Sequence, residues 1–268
     1  MYEDYNTPVP DIQAVLSRIQ FDETAFPPDL AHLEKLIYAF QTHIPFEDLD
    51  SSWLKQPLRL DIPTLYEKLI VRKRGGFCFE LNGFLERFLK DLGYDCYSVF
   101  CRIIRGRDFV PPCTHRGVIV ILNGNSYYCD VGFGGPQPAG PVPVGGGAAA
   151  RYAGELFRTD PADADWWTLS RADKNGRWEK ILQFTLHPQN PAEFIPVCFY
   201  CSTHPDSLFV RTRLVSLRTE SGSKNITDGT FTEHCGGEVR SAVLPSVREF
   251  RRILQEEFGI AAGGGQDA

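Results

Sequence analysis

The stretch that most constrains this chain is Arg74-Gly-Gly-Phe-Cys-Phe-Glu-Leu-Asn82. A basic run, Val71-Arg72-Lys73-Arg74, enters a glycine pair. A helical repeat follows: Phe77, Leu81, Phe84, Leu85, Phe88, Leu89 and Leu92. Apolar residues at that spacing form one buried helix face, which puts Cys78 in the first turn of a buried helix, just after a flexible hinge. First-turn N–H groups have no intrahelical acceptor, and the positive end of the helix dipole lies there. Both favour the thiolate, the nucleophilic form of cysteine. A free cysteine is otherwise a small buried apolar residue, so Cys78 reads as reactive only if the chain supplies it with partners.

The composition narrows what those partners can be. With 268 residues, 43% of them hydrophobic, the chain can bury a sizeable core in one large domain or two to three small ones. A net charge of −6 with no basic face excludes general nucleic-acid binding. The start, Met1-Tyr2-Glu3-Asp4, has no apolar run behind it, so no signal peptide is expected. No stretch approaches the roughly 18 apolar residues of a membrane helix. A cytoplasmic protein is the expectation, with its eight cysteines as free thiols. Cys198-Phe-Tyr-Cys201 has a CxxC spacing, but no second pair accompanies it and its surroundings read as a strand. No metal is expected.

The first third is helical. Ile12, Val15, Leu16 and Ile19 follow Pro10-Asp11, and Leu30, Leu33, Ile37 and Phe40 follow Pro28-Asp29. Thr64-Leu-Tyr-Glu67 reads as a capping box opening a third helix. The Cys78 helix is the fourth, stopped by Gly93. Between the second and third lies Ile44-Pro-Phe-Glu-Asp-Leu49. The period then changes. Tyr97–Ile104, His115–Leu122 and Ser126–Val131 read as strands, the second buried on both faces. Pro136 to Ala150 reads as a long irregular connection. Trp166–Leu169 and Trp178–Leu186 flank the turn Lys174-Asn-Gly176. Phe209–Leu217 and Lys224–Thr227 are further strands, and Ser246-Val-Arg-Glu249 opens a last amphipathic helix. Ala261 to Ala268 reads as a disordered tail.

Asn123-Gly124 is a strong two-residue hairpin signal. With that turn, Leu122 pairs with Asn125, so paired residue numbers sum to 247 and His115 faces Gly132. Asp130 is then a diagonal neighbour of His115 on the same face, about 7–8 Å away at the backbone and within reach of a side-chain hydrogen bond. A slip of one residue would separate them. Cysteine, histidine and aspartate thus stand in the order of nucleophile, base and orienter.

These residues carry a resemblance. Arg74–Asn82, Thr114-His115 before an apolar strand, and Asp130-Val-Gly-Phe-Gly134 are similar to the signatures of the arylamine N-acetyltransferases. Ile44–Leu49 resembles that family's Pro-Phe-Glu-Asn element, with Asp48 where asparagine is usual, and Ser202–Phe209 resembles a segment of its third domain. The likeness spans about residues 5 to 260. It implies an α+β fold with a papain/transglutaminase-like cysteine-triad core: a helical domain over 1–94 carrying the nucleophile, a β-barrel over 95–190 carrying histidine and aspartate, and an α/β lid over 191–268. It implies ping-pong acetyl transfer from acetyl-CoA through Cys78, with His115 and Asp130, to an arylamine, arylhydrazine or hydroxylamine, as in xenobiotic metabolism, with no metal, nucleic acid or membrane partner. Glu47, Arg74 and Glu80 would support the site, Phe46 and Phe133 would line the acceptor pocket, and Thr114, Gly132, Gly134 and Gly135 would lie near CoA. The same triad also serves hydrolases, transglutaminase-like amide transferases and biosynthetic amide synthases, and other acyl-CoA donors fit the same chemistry. A catalytically silent binding protein would need none of the three residues.

Overall fold

The protein is described here by a computed structural model covering residues 3–23, 27–145, 147–163 and 165–261. The expected tail lies, past Ala261, outside the described residues. The architecture is α+β in three parts.

The first part holds α1 (Ile12–Arg18), α2 (Leu30–His43), the short strand β1 (Phe46–Glu47), α3 (Leu49–Ser52), α4 (Ile62–Tyr66) and α5 (Cys78–Asp91). Side chains that satisfy first-turn N–H groups set the starts: Asp11 accepts from Ala14 N and Asp29 from His32 N. The start of α4 differs from the expected capping box. Asp61 is the cap, and Thr64 gives both its N–H and its hydroxyl to Asp61 Oδ1. Glu67 instead opens a π-helical turn, Glu67–Val71.

The second part is an eight-stranded antiparallel sheet: β2 (Asp95–Ile103), β3 (His115–Leu122), β4 (Asn125–Cys129), β5 (Val142–Pro143), β6 (Ala150–Tyr152), β7 (Glu155–Pro161), β8 (Trp166–Ala172) and β9 (Trp178–Thr185), in the order β5-β4-β3-β2-β9-β8-β7-β6. It curls until β5 meets β7. Thr159 Oγ1 donates to Pro143 O at 2.8 Å and accepts from Gly145 N at 3.1 Å. This nearly closed barrel has its own core, including Val99, Ile119, Tyr128, Phe157, Ile181 and Phe184. The connection expected to be irregular contains β5 and ends in β6.

The third part is α6 (Phe194–Thr203), α7 (Leu208–Arg211), β10 (Leu214–Thr219), β11 (Gly222–Thr227), β12 (Thr230–Cys235), β13 (Glu238–Val243) and α8 (Val247–Phe258). Its sheet runs β1-β10-β11-β12-β13, so a strand of the first part forms its edge. The face of α8 bearing Phe250, Leu254 and Phe258 packs on Val215, Ile226 and Leu49. Two expectations change here. The Cys198–Cys201 segment is helix, not strand: its apolar run has no alternation to hold a strand, and Pro196 falls in the first turn, where a missing N–H costs little. Phe209–Leu217 divides between α7 and β10.

Candidate active site

Cys78 is the first residue of α5, and Glu80 Oε2 accepts from Phe77 N at 3.1 Å to cap that turn. The glycine pair before it is not a hinge. Gly76 N donates to Pro45 O, Glu47 N donates to Gly76 O at 2.8 Å, and a Cβ on Gly75 would stand 2.1 Å from Pro45 O. Glycine is needed here for close backbone approach.

The β3–β4 ladder has the register the turn predicts, from Leu122↔Asn125 to Val118↔Cys129, with Asn123 and Gly124 both at positive φ. Pairing ends there, but His115 at the start of β3 and Asp130 just past β4 still meet. His115 Nε2–H donates to Asp130 Oδ2 at 2.6 Å. The carbonyl of Thr114, the residue before His115, lies 3.9 Å from Cys78 Sγ. All three side chains are enclosed: Cys78 is 2%, His115 3% and Asp130 1% exposed.

Asp130 takes three further hydrogen bonds. Tyr128 Oη–H donates to Oδ2 at 2.8 Å, while Asn82 Nδ2 and Gly132 N donate to Oδ1 at 2.9 Å. Burial pushes the Asp130 carboxyl up, but the His115 ring and the Asn82 and Gly132 donors outweigh it and hold the group below its usual range. Burial, with the charge of Asp130, pushes the Tyr128 phenol well up, so it stays a donor. Asn82 also donates to Arg116 O at 2.6 Å and accepts from Val131 N at 2.9 Å, tying α5 to β3 and to the loop after Asp130. Gln41 Nε2 donates to Asp130 O and Pro138 O, both at 2.8 Å.

The sulfur's own environment departs from the helix-start expectation. Burial, with Cys201 nearby, pushes the Cys78 thiol well up, against the pull of the Arg116 N–H. A lone thiolate in such a site is costly; one formed beside a charged imidazole is compensated.

The loop after Asp130 fits tightly around the cysteine. A Cβ on Gly132 would lie 2.8 Å from Cys78 Cα, and one on Gly134, at φ +72°, would lie 2.7 Å from the Phe46 ring. Phe133 packs edge-on to His115, centroids 5.6 Å apart. Phe46 belongs to a cleft of about 650 Å³ whose walls include Val131, Gly134, Gln137, Ser216 and Arg218. Gly135 also lines it, whereas Thr114 and Gly132 lie against Cys78 instead.

Glu47, Arg74 and Glu80 come together with two residues not singled out in the sequence, Asp50 and Lys68. Arg74 Nη2 reaches Glu47 Oε1 and Asp50 Oδ1, each at 2.8 Å, and Lys68 Nζ reaches Asp50 Oδ2 and Glu80 Oε1, each at 2.7 Å. Three acids share two cations in the core. Burial, only partly offset by Lys68, pushes Glu80 up to about 7. Asp48 stands beside this cluster. Its Oδ1 accepts from Leu214 N at 2.9 Å and Ser52 Oγ at 2.8 Å, while its buried Oδ2 has no partner. Burial pushes it up to about 8. Among the described residues no three His, Cys, Asp or Glu side chains converge as metal ligands would, and no helix is long and apolar enough to cross a membrane.

A helical part that opens its last helix with a buried cysteine, a barrel whose strands bring a histidine onto an aspartate, and a sheet-and-helix lid define the class: an α+β protein with a cysteine-triad core. The N-acetyltransferase family model matches residues 29–265. The arylamine N-acetyltransferase of Mycolicibacterium smegmatis is 30% identical over 258 residues, 94% of this chain and 93% of that protein. The structure of the Salmonella typhimurium arylamine N-acetyltransferase superposes with a TM-score of 0.89 at 28% identity, covering 96% of this chain and 94% of that one. That of the Mycobacterium marinum enzyme in complex with CoA gives 0.86 at 28% identity, covering 94% and 93%. The chain belongs to the arylamine N-acetyltransferase family and is an acyltransferase.

Proposed function

We propose that this enzyme moves an acetyl group from acetyl-CoA to an aromatic amine, hydrazine or hydroxylamine by a ping-pong route through Cys78. The observation that carries the reading is the 2.6 Å His115–Asp130 bond beside the buried sulfur. Asp130, held ionised by four donors, accepts the Nε2–H and so leaves His115 Nδ1 as the basic nitrogen. Nδ1 takes the Cys78 proton as the sulfur attacks the thioester carbonyl, and the imidazolium offsets the thiolate that burial disfavours. First-turn N–H groups of α5 ahead of Glu80, whose own N–H donates to Phe77 O, can receive the developing oxyanion. CoA leaves with the proton from Nδ1. The acceptor nitrogen, or the oxygen of a hydroxylamine, then attacks the Cys78 thioester, His115 takes its proton and passes it to the departing sulfur, and the thiol is restored.

In this reading Phe46 and Phe133 wall the acceptor slot, Thr114, Gly132, Gly134 and Gly135 lie along the donor, and Glu47, Arg74 and Glu80 hold the Gly75–Gly76 segment against β1. The three units divide at 1–94, 95–190 and 191–268. The CoA complex of the M. marinum relative supports the donor. Hydroxylamine acceptors are supported by the S. typhimurium relative, named both arylamine N-acetyltransferase and N-hydroxyarylamine O-acetyltransferase. A cytoplasmic role in xenobiotic metabolism fits this chemistry. Initial rates of CoA release with both substrates varied test it: parallel double-reciprocal lines are expected, and intersecting lines would overturn the ping-pong order.

A further inference from the structure

Between α5 and the start of β3 lies a buried ion pair that the triad chemistry does not use. Cys78, Asn82 and Glu86 fall four residues apart, on one face of α5. Each meets the chain between Thr114 and Arg116. The Cys78 sulfur is 3.9 Å from Thr114 O, Asn82 Nδ2 donates to Arg116 O at 2.6 Å, and Arg116 Nη2 reaches Glu86 Oε2 at 2.8 Å. Arg116 and Glu86 are each 2% exposed. The guanidinium is held on further sides. Nε donates to Ser98 Oγ of β2 at 2.7 Å, and the guanidinium carbon lies 4.4 Å from the centre of the Phe194 ring of α6. Ser98 Oγ–H in turn donates to Glu86 Oε2, and Lys90 Nζ donates to Glu86 Oε1 at 2.6 Å.

Stability alone does not call for these charges. Burial pushes the Arg116 guanidinium down, with Glu86 opposing; burial pushes the Glu86 carboxyl up, where Arg116 and Lys90 outweigh it. Much of the attraction is offset by taking both groups out of water, and apolar side chains of similar volume commonly stabilise as well. What the pair adds is direction. Apolar faces can slide past one another, whereas a planar guanidinium with fixed N–H directions holds its partners in one arrangement. The chain makes room for it. A Cβ on Gly83 would stand 2.6 Å from Arg116 Nη1, so a glycine inside α5 lets the fork lie against the helix. Arg116 adjoins His115, and Glu86 shares a helix face with Cys78, so that arrangement sets how the sulfur approaches the imidazole.

We propose that Arg116 is a positioning residue: locked to Glu86 and Ser98, it fixes α5 against β3 and so places Cys78 for proton transfer to His115. The proposal rests on the acetyl-transfer reading above. The guanidinium itself takes no part in the reaction. It acts through geometry, where a misplacement of about 1 Å can cost about a hundredfold in rate.

The test is the rate constant for Cys78 acetylation at saturating acetyl-CoA, counted per folded protein, in three variants. Glu86→Leu with Arg116→Met and Ser98→Ala replaces the lock by apolar packing. Gly83→Ala keeps both charges and pushes the guanidinium off the helix. Arg116→Lys keeps the charge and loses the fork. Each should acetylate about tenfold more slowly, with the half-saturating acetyl-CoA concentration little changed. A pair that serves stability alone would lower the unfolding midpoint and leave the rate of the folded fraction intact, and that result overturns the proposal. So does a full rate in Arg116→Lys, where charge without the fork would suffice. If the triple variant does not fold, Gly83→Ala and Arg116→Lys decide. Alkylation of Cys78 by iodoacetamide near neutral pH, followed by peptide mass, needs no acetyl donor and should slow in the same variants. A wild type that forms no acetyl-enzyme would therefore sink the reaction reading and leave Arg116 still testable.

Discussion

Replacing Asp48 with asparagine should remove a pH-dependent part of the protein's stability. The carboxyl is 4% exposed, and its Oδ2 is buried without a partner. Burial, reinforced by the charge of Glu47 and opposed by the Leu214 N–H and Ser52 hydroxyl, pushes it from 3.8 up to about 8. The sign follows from proton counting. Between about pH 4 and 8 the folded protein holds a proton that the unfolded chain has released, so stability falls as pH rises, by about 1.4 kcal/mol per unit. The contribution is fully present below pH 4 and lost above about 8. Asparagine is neutral throughout, and its carbonyl can still accept from Leu214 N and Ser52 Oγ. Of the groups clustered beside Asp48, Glu80, pushed up to about 7, adds a similar slope to both proteins and cancels in their difference. Asp50 is held below its usual range by Lys68 and Arg74 despite burial and titrates outside the window. Urea unfolding followed by tryptophan fluorescence at pH 6, 7, 8 and 9 reads the effect. The stability difference between variant and wild type should grow by about 2 kcal/mol from pH 6 to 8 in favour of the variant, then level off. Parallel pH curves would refute the reasoning.

Other expectations follow from the same contacts. Asn82→Ala strands Arg116 O and Val131 N and takes one donor from Asp130. It should cost about 3 kcal/mol by denaturant unfolding and lower kcat/KM as well, whereas a purely structural Asn82 would leave the activity of folded protein intact. Asp130→Asn turns an amide N–H toward donors that need an acceptor; initial rates should drop about a thousandfold or more, and a drop under tenfold would contradict the orienter role. Gly134→Ala sets a methyl 2.7 Å from the Phe46 ring at positive φ. It should raise the acceptor KM and cost about 1–3 kcal/mol, and an unchanged KM would show that Phe46 does not wall the slot.

The parts legible in the sequence were those with a single local cause. Asn123-Gly124 sets the β3–β4 register, and from that register the His115–Asp130 contact follows. The aspartate and serine caps mark the starts of α1, α2 and α8 for the same reason. What escaped lacked such a signal. Every residue of β13 is exposed, so it carries no apolar alternation, and β12 is only partly covered. The apolar run around Cys198 and Cys201 has no clear period of its own, and only Pro196, tolerated in a first turn, points to helix. Asn82 could have been found, since it lies four residues after Cys78 and so on the same helix face. Gln41, Lys68, Asp50 and Arg218 are placed by contacts distant in sequence, whereas Tyr128 stands two residues before Asp130, a spacing that puts both on one face of a strand. The burial that raises the Cys78 thiol is likewise a property of packing, which helix position alone does not convey.

The central claim is that Cys78 carries the acetyl group, and the intact mass of the protein after mixing with acetyl-CoA alone tests it most directly. Wild type should gain one acetyl group and lose it on addition of an arylamine, Cys78→Ala should gain none, and His115→Ala should gain it far more slowly. Acetylation of Cys78→Ala to the same extent, or no adduct on wild type with any acyl-CoA, would contradict the account.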